Sequence, residues 1–195
     1  MSKKVNIFWF RRDLRLDDNV GFYNALKGDY PVLPIFIFDE EILSKLPKND
    51  ARVTFIFDTL QKMRNTLLEE NQSSLAMYYG KPKKIYKNLL KKYEIQTVFS
   101  NRDYEPYAIK RDYEIKELLE ENNVAFTTFK DQVIFEKNEV VKKDGKPYVV
   151  YTPYMKVWKE KFKTYNLDIY YTNSYLKNLI KSLIHFSNIT LSLLK

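Results

Sequence analysis

Cysteine is absent from the chain, histidine occurs once, at His185, and only four glycines occur among 195 residues. The missing thiols exclude disulfides, a thiolate metal site and a cysteine nucleophile, and they fit a reducing cytoplasm. A single imidazole cannot assemble a zinc site, which needs several nitrogen or sulfur ligands. A serine–histidine–carboxylate triad would have to be built on His185, in the stretch with the weakest structural signal. Neither G-x-G-x-x-G nor G-x-x-x-x-G-K-[ST] is present, so no glycine-rich phosphate cradle is available. No apolar stretch approaches the ~20 residues that cross a bilayer. Lys3 and Lys4 precede an apolar run that meets Arg11 after six residues, too short for a secretory signal.

What is present supports one real core. Hydrophobic residues make up 45% of the chain and charged residues 30%, a balance that disfavours disorder. Aromatics reach 16%, with 16 Tyr and 13 Phe, and read mainly as core. The net charge is +8. Residues 166–195 hold Lys177, Lys181 and Lys195 against Asp168, a net of +2. The remaining +6 reads as spread rather than clustered, which suits a polyanion partner without demanding one.

The chain is organised around residues 5–19. Residues 5–10, β-branched and aromatic, have the composition of a buried strand. They run abruptly into a loop with Arg11, Arg12, Asp13, Arg15, Asp17 and Asp18. Asp18 or Asn19 can cap a helix with apolar positions Val20, Tyr23 and Leu26. A second strand follows at 32–38, where Pro34 argues for strand entry rather than a central ladder position. Asn49 or Asp50 then caps a long helix carrying Val53, Ile56, Phe57, Leu60, Met63 and Leu67 at helical spacing and ending near Asn71. Further strands are expected at 75–79, 97–100 and 124–129. Helices lie between them, one opened by Pro82 with Ile85, Leu89 and Tyr93 on one face, the other over about 107–122 with Ile115, Leu118 and Leu119. This alternation predicts an α/β fold: a doubly wound, Rossmann-like, five-stranded parallel sheet of order 3-2-1-4-5 with helices on both faces.

Residues 132–151 break the pattern. The Asp144-Gly145 pair suggests a small antiparallel excursion or extended loops outside the sheet. Thr152-Pro153 then predicts a helix start, with Tyr154, Val157, Trp158 and Phe162 on one side. Beyond about Asn166 the signal weakens. Leu176, Leu179, Ile180, Leu183 and Ile184 could form one helix, and residues 189–194 show no clear period.

In such a sheet the strand ends collect functional groups on one edge. Arg11, Arg12, Asp13 and Arg15 follow the first strand and Asp39 the second. Asn101, Arg102, Asp103 and Glu105 follow the fourth, and Arg52 opens the long helix. An ion-pair network tying the loops together is the competing reading, strongest for Arg12 and Asp13.

Residues 9–19, Trp-Phe-Arg-Arg-Asp-Leu-Arg-Leu-Asp-Asp-Asn, resemble the opening signature of the DNA photolyase and cryptochrome family. Three further segments resemble that family in the right order: Asp50-Ala51-Arg52-Val53; Asp103-Tyr104-Glu105-Pro106-Tyr107-Ala108 with Arg111-Asp112; and Thr152-Pro153-Tyr154 with Trp158. Together they cover roughly residues 5–162.

The resemblance implies an N-terminal α/β domain that holds a light-harvesting antenna pigment. It also implies a connector and a larger helical domain binding FAD and damaged DNA, where light-excited reduced FAD splits pyrimidine dimers. Residues 1–165 would be the antenna domain and 166–195 the start of the interdomain linker. The FAD-binding helical domain is then missing, as in a fragment or a gene product truncated at the domain boundary, the alternative being a stand-alone α/β protein that has lost the helical half, and the chain alone is expected to be inactive, with no catalytic residue of its own. By resemblance the pigment-binding positions are Phe36, Phe38, Asp39, Arg52, Asn101, Asp103 and Glu105. Phenylalanine faces would sandwich a flat tricycle, with Arg52 and Asp103 as donor and acceptor for its polar rim. A deazaflavin or flavin fits. Folate is disfavoured, because Tyr107-Ala108 stands where folate-using members carry an Asn-Glu pair. The parent is expected to be a cytoplasmic, monomeric, metal-free photolyase. The alternatives are the same domain of a cryptochrome photoreceptor and a nucleotide-binding α/β domain unrelated to light. Against the family, the opening stretch reads as a charged knot fixing the first loop, with pigment contacts left to the second and fourth strands.

Overall fold

The computed structural model describes residues 3–182, 185–187 and 189–194. Five parallel strands form one sheet: β1 (Lys4–Phe10), β2 (Val32–Asp39), β3 (Ala76–Gly80), β4 (Glu94–Asn101) and β5 (Ala125–Phe129), in the expected order β3-β2-β1-β4-β5. The helices are α1 (Val20–Leu26), α2 (Glu40–Leu43), α3 (Ala51–Asn71), α4 (Pro82–Lys92), α5 (Pro106–Glu120), α6 (Tyr151–Lys163) and α7 (Leu191–Leu194). The period of two along the strands splits the core. Phe8, Phe10, Phe36 and Phe38 pack on α1 and α3, and Ile7, Trp9, Ile35 and Ile37 on α4 and α5. Burial on both faces explains why β1 and β2 read as unbroken apolar runs.

The local chemistry matches the sequence at most caps. Asn19 accepts from the Phe22 amide at 3.0 Å and Asp50 from the Arg52 amide at 2.9 Å. Pro106 and Pro82 open their helices with no side-chain cap bond. α3 ends at Asn71, with Gln72 in the left-handed region at φ 50°. Pro34 stands in register with Phe8, whereas pairing to β3 starts only at Ile35. The strand-entry reading thus holds for the β3 side alone.

Elsewhere the structure departs from the sequence reading. α1 buries Gly21, Phe22, Ala25 and Leu26, and leaves Val20 and Tyr23 half-exposed. A Cβ on Gly21 would lie 2.5 Å from Asn101 Oδ1 and 2.9 Å from Phe8 Cε2. The helix therefore docks through its glycine, a contact that an apolar count cannot register. Residues 132–150 form turns and bends without a strand, so of the two readings the loops outside the sheet hold and the antiparallel excursion is not made. Helix α6 begins at Tyr151, with Val150 in the cap position and no side-chain cap bond, rather than at Thr152-Pro153. Its face of Tyr154, Val157, Trp158 and Phe162 is half-buried as expected. In the tail, a 3-10 helix Asn173–Asn178 replaces the expected α-helix. Leu179 turns extended and bridges to Val32, and the Ile180 amide donates to the Val32 carbonyl at 2.9 Å. Leu176 and Leu179 enter the core beside α1 and α3. Leu183 and Ile184 lie outside the described residues.

Candidate functional site

At the C-terminal edge of the sheet, the loop after β1 is tied down by buried charge. Arg11 donates to both carboxylate oxygens of Asp112, each at 2.6 Å, and to the Asn101 carbonyl. Asp13, also buried, accepts from the Arg11 amide at 2.9 Å, from Asn19 Nδ2 at 3.1 Å and from Asn101 Nδ2 at 2.6 Å. Asn101 donates further to Asn19 Oδ1 at 2.8 Å and accepts from the Gly21 amide at 2.9 Å. Every polar atom of that amide is thus spent inside the fold. The outer half of the loop clamps the tail. Asp17 accepts from the Thr172 amide at 3.1 Å, and Asp18 accepts from the Tyr170 amide at 3.0 Å. The Thr172 bonds hold the Asp17 carboxyl below its ordinary range.

Beside this knot lies a cavity of about 510 Å³, within the usual range for small-molecule sites. Its base is formed by the ends of β1 and β2, with Trp9, Phe36, Ile37 and Phe38. α2, the turn after it and the start of α3 supply Ile42, Leu43, Leu46, Arg52, Val53 and Ile56. The β4 loop and the start of α5 supply Asp103, Glu105, Tyr107, Ala108 and Arg111. The walls are mainly apolar and the charged groups sit on particular elements.

Six of the seven expected residues meet here: Phe36, Phe38, Asp39, Arg52, Asp103 and Glu105. Asn101 does not line the cavity; it is the buried centre of the knot. Phe36 and Phe38 share one face of β2 and touch edge to face, centroids 4.8 Å apart, so they build one wall rather than two. Asp39 caps α2 through the Glu41 amide at 3.1 Å and accepts from the Tyr107 hydroxyl at 2.7 Å. Burial, then the Asp39 bond, push the Tyr107 hydroxyl well above its ordinary pKa, so it remains a donor. Arg52 grips Asp50 at 2.9 and 2.6 Å, and the Asp50 carboxyl falls to about 2. Arg12 reaches Asp103 and Glu105, both at 3.6 Å.

Besides several aliphatic residues, three aromatic or charged residues of the cavity escape the sequence reading: Trp9, Tyr107 and Arg111. The Arg111 guanidinium lies 4.8 Å from the Trp9 ring centroid, 5.7 Å from that of Tyr107, and 3.7 Å from Asp39. Arg11 sits 5.1 Å from the same indole. The available signal was the i,i+4 spacing of Tyr107 and Arg111 in the first turns of a helix leaving the site edge.

A doubly wound sheet with an aromatic-floored cavity at its C-terminal edge and a charge-locked first loop defines the class of protein. The chain matches the DNA photolyase family over residues 6–170, and it belongs to that family. It is 30% identical over 152 residues to a deoxyribodipyrimidine photo-lyase of Synechococcus, covering 78% of this chain and 31% of that one. It is 27% identical over 149 residues to cryptochrome-1 of Drosophila melanogaster, covering 74% of this chain and 28% of that one. A class III photolyase from Agrobacterium tumefaciens superposes with a TM-score of 0.79 at 26% identity, over 100% of this chain and 38% of that one. An archaeal photolyase from Sulfolobus tokodaii, solved with two FAD molecules and discussed in terms of a novel light-harvesting cofactor, superposes with a TM-score of 0.73 at 25% identity. It covers 98% of this chain and 40% of that one. The chain therefore spans roughly a third of these relatives' length.

Proposed function

We propose that this chain is the antenna-binding domain of a deoxyribodipyrimidine photolyase and that its edge cavity holds a light-harvesting deazaflavin or flavin. The observation carrying this reading is the cavity itself. It gathers an aromatic wall, an indole floor and a sparse charged rim at the edge where doubly wound sheets take ligands. The residues fit a flat, ring-fused molecule. Phe36, Phe38 and Ile56 offer apolar contact, and Tyr107, Ala108 and Arg111 form the α5 side. Arg52 with Asp103 supplies a donor and an acceptor. When bound, the pigment absorbs light and passes excitation on. The protein binds it, orients it and excludes water. FAD, damaged DNA and dimer splitting belong in this proposal to a helical domain of the parent, a cytoplasmic monomer. Residues 166–195 would start the connector to it. The cryptochrome similarity supports a second reading, the same pigment domain in a signalling protein without repair.

The chain mixed with FMN or a deazaflavin and passed through gel filtration should co-elute with the pigment's absorbance. Arg52→Ala should weaken retention, and unchanged retention would remove that residue from the site. No pigment on the chain or on the full-length protein would sink the cavity assignment. Cleavage of pyrimidine dimers by the illuminated full-length protein separates photolyase from cryptochrome.

A further inference from the structure

The positive charge is concentrated. Lys81, Lys83, Lys84, Lys87, Lys91 and Lys92 lie in or beside α4, with no Asp or Glu from residue 81 to residue 92. Of the net +8, this segment alone carries +6, leaving +2 for all other residues. The even spread expected from the sequence is therefore corrected. All six lysines are exposed, while Pro82, Ile85, Tyr86 and Leu89 turn inward. Helix α4 shares its face of the sheet with α5 and covers the side of edge strand β3, so its outer flank is open.

Other helices of the fold pair some of their lysines. On α5, Lys110 meets Glu114 at 4.0 Å and Lys116 meets Glu120 at 3.6 Å. On α6, Lys163 meets Glu160 at 2.7 Å. Among the described residues, no α4 lysine has a carboxylate partner; Lys92 rests on the Tyr93 ring at 5.2 Å. Glu94, the first acid after the helix, is held by Lys4 at 3.5 Å. Lys81, Lys83 and Lys84 also crowd the helix N-terminus, where the macrodipole opposes cations. Lys91 and Lys92 suit the C-terminal end of the dipole, but no contact or dipole within the fold rewards Lys81, Lys83, Lys84 and Lys87.

Lys83, Lys87 and Lys91 recur every fourth residue, about 6 Å apart along the axis and about 12 Å in all. Counted along the duplex axis, where phosphates of one strand recur every ~3.4 Å, that span covers about three to four of them. The face carries no arginine or glutamine, and exposed Asn88 is its single amide, so its chemistry is chiefly that of backbone contact. We propose that the lysine face of α4 docks on the phosphate backbone of duplex DNA without regard to sequence. Charge complementarity and membership of a DNA photolyase family favour this partner over an anionic membrane. The surface is separate from the pigment cavity, and its test is independent of pigment binding.

Anisotropy of a fluorescent, lesion-free 20-base-pair duplex should report binding by the chain that falls steeply between 50 and 200 mM salt. Substituting Lys83, Lys84, Lys87 and Lys91 together by Gln keeps helix propensity nearly level. It should lower the slope of log K against log salt by about 3–4 and weaken binding at 50 mM by at least about 10-fold. A control replaces Lys110, Lys116, Lys146 and Lys163 by Gln and changes net charge equally; it should leave the slope within about one of wild type. An equal loss in the control would overturn the proposal in favour of diffuse net charge. So would no duplex binding at 50 mM, or α4-dependent binding to phosphatidylserine vesicles without binding to the duplex. Circular dichroism confirms that both variants fold.

Discussion

Replacing Asn101 by Ala tests whether the buried amide holds the site edge together or touches a ligand. Its side chain makes three bonds: to Asp13 at 2.6 Å, to Asn19 at 2.8 Å and from the Gly21 amide at 2.9 Å. Asp13 keeps its bond from Asn19, and Asn19 still caps Phe22, so those two losses cost about 1 kcal/mol each. The Gly21 amide is worse off. It lies in the first turn of α1, with no helical carbonyl to accept it, and a buried orphan donor costs about 1–3 kcal/mol. Together the substitution should cost about 3–5 kcal/mol, a large share of the 5–15 kcal/mol typical of a domain. Urea titration should show a midpoint lower by about 1–2 M at an unchanged slope. Asn101→Asp keeps the acceptor for Gly21 but sets a second carboxylate against Asp13. The new carboxyl's folded-state pKa should be raised above its unfolded value. Its cost should therefore be smallest at low pH and grow as pH rises through that raised value. A midpoint shift under about 0.3 M for Asn101→Ala would refute the knot. Loss of pigment retention at unchanged stability would instead place the amide in the cavity.

Further outcomes follow from neighbouring contacts. Gly21→Ala should destabilise by about 1–3 kcal/mol, because its Cβ would meet Asn101 Oδ1 at 2.5 Å. Combined with Asn101→Ala, the loss in urea titration should be smaller than the sum, since both act on one contact. Asp17 titrates below its unfolded value, so its clamp on Thr172 is present above pH ~4 and is lost as pH falls through the depressed value. Thermal scans of Asp17→Asn should therefore run below wild type at pH 7 and converge with it in acid. Tyr107→Phe deletes one bond to Asp39 and leaves the Glu41 cap, so it should cost only about 0.5–1.5 kcal/mol in the same titration.

The sheet was legible because both faces of β1 and β2 are buried, which writes them as apolar runs, and because the helices carry periodic faces. What escaped depends on contacts between distant segments. α1 docks through Gly21, whose missing side chain has no hydrophobic weight. Asp144-Gly145 does turn the chain, with Gly145 at φ 78° and the Lys142 amide bonded to the Lys146 carbonyl at 2.9 Å. No ladder follows, since a turn signal sets a reversal and not a partner strand. The tail's Leu176 and Leu179 lie in the core through a 3-10 turn and an extended bridge, a shape set by Val32 rather than by helical spacing.

The site divides along a different line. Charge density at the first strand's end marks the knot, because a loop leaving a central strand must satisfy its polar groups where water cannot reach. Arg11 and Asp13 are buried for that reason; the two terminal nitrogens of Arg11 are held by Asp112 and the Asn101 carbonyl, while its Nε has no hydrogen-bond partner among the described residues. Asn101, the last residue of β4, turns inward and joins them, whereas Asp103 and Glu105, two and four residues later, reach the cavity. Sequence order alone puts all three after the same strand; burial separates them. In the sequence Tyr107 and Arg111 stand out only as matches to the family, yet they form the α5 side and link it to Asp39 and Trp9. The opening signature is thus joined to the cavity through the indole of Trp9 and through Arg11 and Arg12, which all line it. The knot fixes that indole beside two guanidiniums and so sets the floor on which a ligand would rest.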